Sequence, residues 1–122
     1  MTLQPAPARA LPVPLLASPA RRRELRALVR DMVDWVPTDR PGCDLDLLIT
    51  GAMAPLTGFL GRADYESVCE RMRLADGVLW PMPITLDVPA EVARRLGPGE
   101  GLALREPSGA LLGVLWVEDV WA

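Results

Sequence analysis

Glycine and proline recur between short apolar segments in residues 47–88, roughly a third of the chain. This stretch holds two glycine-ended loops, one segment with helical spacing, an Asp76-Gly77 turn and a segment in which prolines flank Trp80. Glycine and proline end regular elements, so none of the elements here can be long. The stretch therefore predicts short helices and strands joined by tight turns.

A chain of 122 residues is long enough to build one hydrophobic core without disulfides or metals. Residues 1–17 are rich in proline and alanine and are predicted to form an extended arm, while residues 18–122 are predicted to form a single domain. The sequence has neither the apolar run of a signal peptide nor one long enough to span a membrane. We therefore expect a soluble, cytoplasmic protein.

Three residue types are missing altogether, because the chain contains no His, Lys or Asn. Their absence excludes a Ser-His-Asp triad, a histidine zinc site, a P-loop lysine and a Schiff-base lysine. Carboxylate, Arg, Tyr, Ser, Thr and Cys chemistry remains open, and no catalytic, cofactor-binding or metal-binding residue is assigned. The two cysteines, Cys43 and Cys69, are interpreted as small reduced core residues, with a disulfide as the less favoured alternative.

The net charge is −3, and all 13 cationic residues are arginines. A mildly acidic chain gives no general electrostatic attraction to nucleic acid or to an anionic membrane. Four arginines crowd the start of the first predicted helix, at positions 21, 22, 23 and 26. A phosphate or an acidic partner could bind there, but a solvated helix face is the favoured interpretation.

The order of helices and strands follows from spacing and turn residues. Ser18 is a predicted N-cap, and Leu25, Leu28, Val29 and Met32 are spaced as one face of a helix of about 13 residues. The later elements are a strand at 33–36, a turn at 38–42, a helix at 44–49, a buried loop at 53–61, a helix from 64 to about 74, a half-buried strand at 83–88, helical turns within 89–96, and a hairpin of 101–105 with 110–117. The prediction is an α+β fold with helices mainly in the first half and strands in the second.

Five short motifs occur in an order typical of one enzyme family. They are CDLDL at 43–47, APLTGFL at 54–60, DY at 64–65, MRLADG at 72–77 and LWPMPI at 79–84. In this order the motifs resemble the N-terminal PUA-like domain of ATP sulfurylase (sulfate adenylyltransferase), and the resemblance extends from residue 43 to residue 121. It implies a PUA-like, β-barrel-type domain with short helices.

The resemblance also implies where the family's chemistry resides. Its members convert ATP and sulfate to adenylyl sulfate and pyrophosphate with Mg²⁺, using Gln-x-Arg-Asn and His-x-x-His motifs in a following nucleotidyltransferase domain. Neither motif exists here, and the family's Pro-His-Gly-Gly strand is replaced by LPVPLL at 11–16. The chain is therefore expected to be non-catalytic, to bind no cofactor itself, and to contact a sulfurylase catalytic domain in cis or in trans.

Two other functions remain open at this point. One is a stand-alone protein-interaction module in sulfur metabolism or biosynthesis, and the other, less favoured, is an RNA-binding PUA-like module. A membrane partner is not expected, and a homo-oligomer is left open. The candidate interaction surface is Trp80, Pro81 and Pro83, because prolines cannot complete a strand ladder and leave an edge free. Trp116 and Trp121 are the alternative apolar anchors.

Overall fold

The computed structural model describes residues 15–122, so most of the predicted arm lies outside the described residues. Within this range the elements are α1 (Pro19–Leu28), β1 (Val33–Trp35), α2 (Asp39–Ile49), α3 (Arg62–Arg71), α4 (Ala90–Ala93), β2 (Gly101–Arg105) and β3 (Leu111–Trp116). A 3₁₀ turn, Val29–Asp31, follows α1 directly. The α+β prediction, with helices mainly first and strands mainly last, is confirmed. None of these helices is long and apolar enough to cross a membrane.

The start of α1 agrees with the sequence, but its packing does not. Ser18 is the N-cap, and its Oγ accepts a hydrogen bond from the backbone N–H of Arg21 at 3.2 Å. The predicted apolar stripe is buried only at Val29, in the 3₁₀ turn, while Leu28 is 46% exposed. No residue of α1 itself is buried. The helix therefore lies on the surface of the domain.

Helix α2 begins five residues earlier than expected. The segment predicted as a turn at 38–42 forms its N-cap, Thr38, and its first turn. Pro41 is tolerated there because backbone N–H groups in a first turn have no acceptor within the helix. The predicted end is correct, since Gly51 follows the helix with φ of 81°.

The sheet has the order β1-β2-β3. Strand β1 pairs in parallel with β2, placing Val33 opposite Leu102, and β2 pairs antiparallel with β3, placing Leu102 opposite Leu115. The predicted C-terminal hairpin is confirmed, and Gly109 closes its turn with φ of 92°. The strand predicted near residues 33–36 is also confirmed as β1.

The strand predicted at residues 83–88 is wrong. This segment joins no ladder of the described residues, and its backbone link to the loop before α3 is the Leu60 N–H bond to the Ile84 carbonyl, at 2.8 Å. Pro81, Pro83 and Pro89 each lack the N–H that a ladder requires. The alternating pattern instead describes an extended segment in which Ile84 is buried and Asp87 is exposed.

Two groups of buried side chains form the core. The first is Leu48, Met53, Leu60, Val68, Leu74 and Ile84. The second is Leu45, Leu102, Leu104 and Val117. Helix α2 contributes one residue to each group, and Phe59 packs against both. The buried-loop prediction for residues 53–61 holds for its ends, Met53 and Leu60, and fails for the exposed Pro55.

The prediction that the cysteines are core residues is wrong. Both are free thiols, as expected, but Cys43 and Cys69 are exposed. On α3 the buried residues are Ser67 and Val68, a narrow strip beside which Cys69 faces outward. The helical spacing indicated a helix correctly, and Val68 is buried as predicted, but Cys69 and Met72 of the predicted apolar stripe are exposed.

Helix α3 is capped by a residue distant in the sequence. Its N-cap is Gly61, which has no side chain, and Asp119 Oδ2 accepts a hydrogen bond from the Arg62 N–H at 2.9 Å. A Cβ at Gly61 would lie 3.3 Å from the same oxygen. The helix begins two residues before the predicted start, so Asp64 lies in its first turn, where its carboxylate accepts the Ala75 N–H at 2.8 Å. Two carboxylates therefore connect the ends of α3 to other segments.

We expect Asp119→Ala to lower the free energy of unfolding by about 1 kcal/mol, since it removes the only side-chain acceptor at this helix end. Asp119→Asn keeps an acceptor without the charge and should recover part of the loss. Chemical denaturation monitored by circular dichroism measures both values. Glu118→Ala, at a neighbouring exposed carboxylate, is the control and should change stability little. Equal stability of Asp119→Ala and the unmodified chain would contradict a capping role.

Candidate interaction surface

Residues 72–83, directly after α3, form a small hairpin with an apolar exterior. Met72 ends the helix in the left-handed conformation, with φ of 54°. The Trp80 N–H donates to the Met72 carbonyl at 2.9 Å, and the Leu74 N–H donates to the Val78 carbonyl at 2.8 Å. Gly77 supplies the turn with φ of 93°. The predicted Asp76-Gly77 turn is thus where the sequence placed it.

The three residues of the candidate surface differ in exposure. Pro81 is exposed, Pro83 is half-buried, and Trp80 is half-buried with its ring packed against the first core group. The indole N–H of Trp80 is buried and has no acceptor among the described residues. An unpaired buried donor is unfavourable, and a partner that supplied an acceptor would remove this cost. The interaction surface stays a prediction.

The structure adds four apolar side chains that the sequence did not single out. Their exposed fractions are 63% for Leu79, 58% for Met72, 53% for Met82 and 40% for Val78. We call these four, together with Trp80, Pro81 and Pro83, the hairpin surface. Exposed apolar side chains concentrated in one segment mark contact sites more often than scattered ones do. The signal available in the sequence was the uninterrupted apolar run of residues 78–84.

Arginines flank the hairpin surface on two sides. Arg40 of α2 donates to the Pro83 carbonyl at 3.0 Å, and Arg73 donates to the Gly77 carbonyl at 3.2 Å. Arg40 also lies 4.0 Å from Asp44, whose Oδ2 is buried without a hydrogen-bond partner. An apolar centre with a polar rim is the usual composition of a protein–protein interface.

A second feature is a cleft of about 760 Å³ on the side of the C-terminal segment. Residues 55–61, 85–88 and 114–122 contribute most of its lining. Its lining is a mixture of polar and apolar groups, and its charged side chains are all carboxylates, namely Asp64, Asp76, Asp87, Glu118 and Asp119. Asp64, Asp76 and Asp119 already accept backbone N–H groups. Asp87 and Glu118 therefore remain available to a ligand or partner.

An aromatic pair connects the cleft to α3. The rings of Tyr65 and Trp121 lie 4.7 Å apart between centroids and are tilted by 43°. Hydrogen bonding of the Tyr65 hydroxyl to Cys69 raises the pKa of Tyr65 above its ordinary value of 10.0, and the Cys69 charge, desolvation and Asp87 act in the same direction. Tyr65 therefore stays protonated and neutral at physiological pH.

No three His, Cys, Asp or Glu side chains within residues 15–122 converge as metal ligands. Asp44 and Asp46 lie on α2, two positions apart, where their side chains do not share a helix face. What the described residues offer is one apolar surface and one acidic cleft, both suited to binding.

The sequence model of the family described as "PUA-like domain" matches residues 6–122. The chain belongs to the PUA-like domain family. Curated sulfate adenylyltransferases resemble this PUA-like chain closely: 44% identity over 91 residues in Kluyveromyces lactis, 43% over 110 in Symbiobacterium thermophilum and 40% over 120 in Saccharomyces cerevisiae. These matches cover 75%, 88% and 96% of this chain but 18%, 27% and 24% of the relatives. The chain thus spans about a fifth to a quarter of their length.

A solved structure agrees with the sequence comparisons. The protein described as "Hexameric APS kinase from Thiobacillus denitrificans" superposes with a TM-score of 0.80 at 37% identity, covering 90% of this chain and 22% of that one. The resemblance predicted from the five motifs is confirmed. All five motifs lie inside the matched PUA-like region, on α2, the 53–61 loop, α3 and the hairpin surface.

We expect Cys69→Ala to lower the pKa of Tyr65 toward its ordinary value, because it removes the largest cause of the shift. Tyr65 is the only tyrosine, so phenolate absorbance during an alkaline titration reports on this group alone. Because the pKa of Tyr65 is higher in the folded than in the unfolded state, its contribution to stability is fully present below about pH 10. This contribution is lost as the pH rises through the pKa of Tyr65 in the folded state. Cys43→Ala, the control, should leave the titration unchanged. An unaltered midpoint in Cys69→Ala would exclude the thiol as the cause.

Proposed function

We propose that this chain serves as the PUA-like domain of a sulfate adenylyltransferase, and that its role is to contact the part of the enzyme that performs the reaction. Identities of 39% to 44% with sulfate adenylyltransferases, over most of this chain, support this assignment. The reaction assigned to the complete enzyme joins ATP and sulfate to give adenylyl sulfate and pyrophosphate, with Mg²⁺. We place the assembly in the cytoplasm.

The domain itself is non-catalytic in this proposal and holds no ATP or Mg²⁺. Phosphoryl transfer depends on positioned cationic and amide donors that stabilise charge on the phosphate oxygens. The family motifs that supply them contain Asn and His, and this chain has neither. The charged side chains of its cleft are carboxylates, which repel nucleotide phosphates. Nucleotide binding is therefore assigned to another part of the enzyme.

The hairpin surface is the proposed contact with the catalytic part. The observation that carries this assignment is the concentration of exposed apolar side chains in residues 72–83 around a half-buried tryptophan. Large apolar and aromatic side chains in a partly desolvated setting contribute most of the binding energy at interfaces. The unpaired indole N–H of Trp80 offers one directional hydrogen bond to such a partner. A protein partner outside sulfur assimilation could use the same surface, and the experiments below separate the two.

The first test is enzymatic. The isolated chain, incubated with ATP, sulfate and Mg²⁺, should form no adenylyl sulfate, and calorimetric titration with ATP and Mg²⁺ should show no binding. The full-length Symbiobacterium thermophilum enzyme provides the positive control. Formation of adenylyl sulfate by the isolated chain would overturn the non-catalytic assignment.

The second test replaces the PUA-like region of the Symbiobacterium thermophilum enzyme, 43% identical to this chain, with the chain itself. The chimera should form adenylyl sulfate. Leu79→Asp within it should shorten the half-life of activity on heating by about tenfold, since a charge placed at an apolar contact costs on the order of 1–3 kcal/mol. Leu16→Asp is the control, because Leu16 and Leu79 have the same exposed fraction of 63%. Equal half-lives of the two variants would exclude the hairpin surface, and an inactive, folded chimera would overturn the assignment to this enzyme.

A further inference from the structure

We propose that two copies of this chain associate head to tail, with the arginine face of α1 on one copy bound in the carboxylate cleft of the other. This proposal goes beyond the proposed function and does not depend on it. It rests on one basic surface and one acidic surface that the same chain carries at different places.

The basic surface is a face of α1 and the turn after it. Successive helical residues are 100° apart, so Arg22, Arg23, Arg26 and Arg30 fall within an arc of about 100°. Arg21 lies outside this arc and pairs with Glu24 at 2.9 Å. Among residues 15–122 the four arginines of the face form no ion pair. Their charges are thus available to a partner.

Little in the described domain accounts for the stability of α1. None of its residues is buried, and its side-chain hydrogen bonds reach only from Ala17 to Glu24. A helix of ten residues is marginally stable without tertiary packing. Its first turn contains no acidic residue, although the positive end of the helix dipole favours one. An acidic partner would both pack against this helix and reduce the repulsion at its start.

The cleft has the chemistry that binds guanidinium groups. Asp87 and Glu118 are carboxylates without a hydrogen bond or ion pair among the described residues, and they can accept the paired N–H groups of arginine. Trp121, whose ring is tilted against that of Tyr65, adds an aromatic ring on which a guanidinium packs favourably.

The two surfaces cannot be one intramolecular contact in this structure. No residue of α1 lines the cleft of its own chain. A surface that binds a different surface on an identical copy gives a head-to-tail contact, which either closes into a ring or extends. Each copy then uses its helix and its cleft once, so association should proceed beyond a single pair unless a ring closes.

Light scattering coupled to size exclusion, over a range of protein concentrations, tests this for the intact chain. We expect a mass above 13.3 kDa that rises with concentration at low salt. Raising the ionic strength from about 0.1 M to about 1 M shortens the Debye length from about 10 Å to about 3 Å, so the mass should fall toward the monomer value. A monomer at every concentration in low salt would overturn the proposal, as would an association that high salt strengthens.

Charge reversal identifies the two surfaces. Arg22→Glu with Arg26→Glu on α1, or Asp87→Arg with Glu118→Arg in the cleft, should each weaken association by about tenfold or more. Glutamate is favourable at position 22, early in α1, but unfavourable at position 26, in its last turn, so circular dichroism must first show that the variant keeps its helix content. Mixing the two variants should restore association, because each then meets a complementary surface. Arg94→Glu with Arg95→Glu makes an equal change of net charge beside the cleft, where Ala93 and Leu96 contribute to the lining, and should not weaken association. Failure of the mixture to associate, or loss of association in this control, would overturn the proposal.

Discussion

Helix α2 is the element on which the rest of the fold depends, because it buries one leucine in each half of the core. Leu45 packs with the sheet residues Leu102 and Leu104, while Leu48 packs with Val68 of α3 and with Ile84. Residues three apart lie on one face of a helix about one turn from each other, so these two leucines reach neighbouring parts of the core. The helix therefore fixes where α3 and the hairpin surface lie relative to the sheet.

The hairpin surface differs in chemistry from the cleft and the arginine face of α1. The hairpin surface is apolar at its centre, and contacts of this type depend on exclusion of water and are little affected by salt. The cleft and α1 are charged, and their contact weakens as salt is added. Because one contact is apolar and the other electrostatic, ionic strength separates them experimentally. In the two proposals, the domain contacts a catalytic partner and a second copy of itself through separate regions.

Much of the fold could be predicted from the sequence, and the failures have physical causes. The Ser18 cap, the Asp76-Gly77 turn and the C-terminal hairpin were predicted correctly, because each depends on the conformational preference of a few neighbouring residues. The strand prediction for residues 83–88 was wrong because alternation of apolar and polar residues indicates only that one side of the segment is buried. A strand also needs a neighbouring segment with free N–H and carbonyl groups. The cap supplied by Asp119 could not be read from local sequence, since it joins residues 57 positions apart.

The candidate surface was predicted only in part, for a related reason. Proline in a strand-like segment indicates a free edge, so Pro81 and Pro83 were identified from the sequence, together with the adjacent Trp80. The exposed Leu79 and Met82 were not, because an apolar residue in a strand-like run is more often buried than exposed. Family resemblance was predicted more securely than exposure, since the order of five motifs does not depend on which way each side chain points.

The contact between Gly61 and Asp119 has a consequence for how this family can vary. Any side chain at position 61 would press on the carboxylate that caps α3, and without that carboxylate the helix end would need a capping side chain at position 61 instead. The two positions are therefore expected to change together during evolution. Relatives with Ser, Thr or Asp at the equivalent of residue 61 should be free to lose the acid near the end of the domain, while relatives with glycine there should keep it.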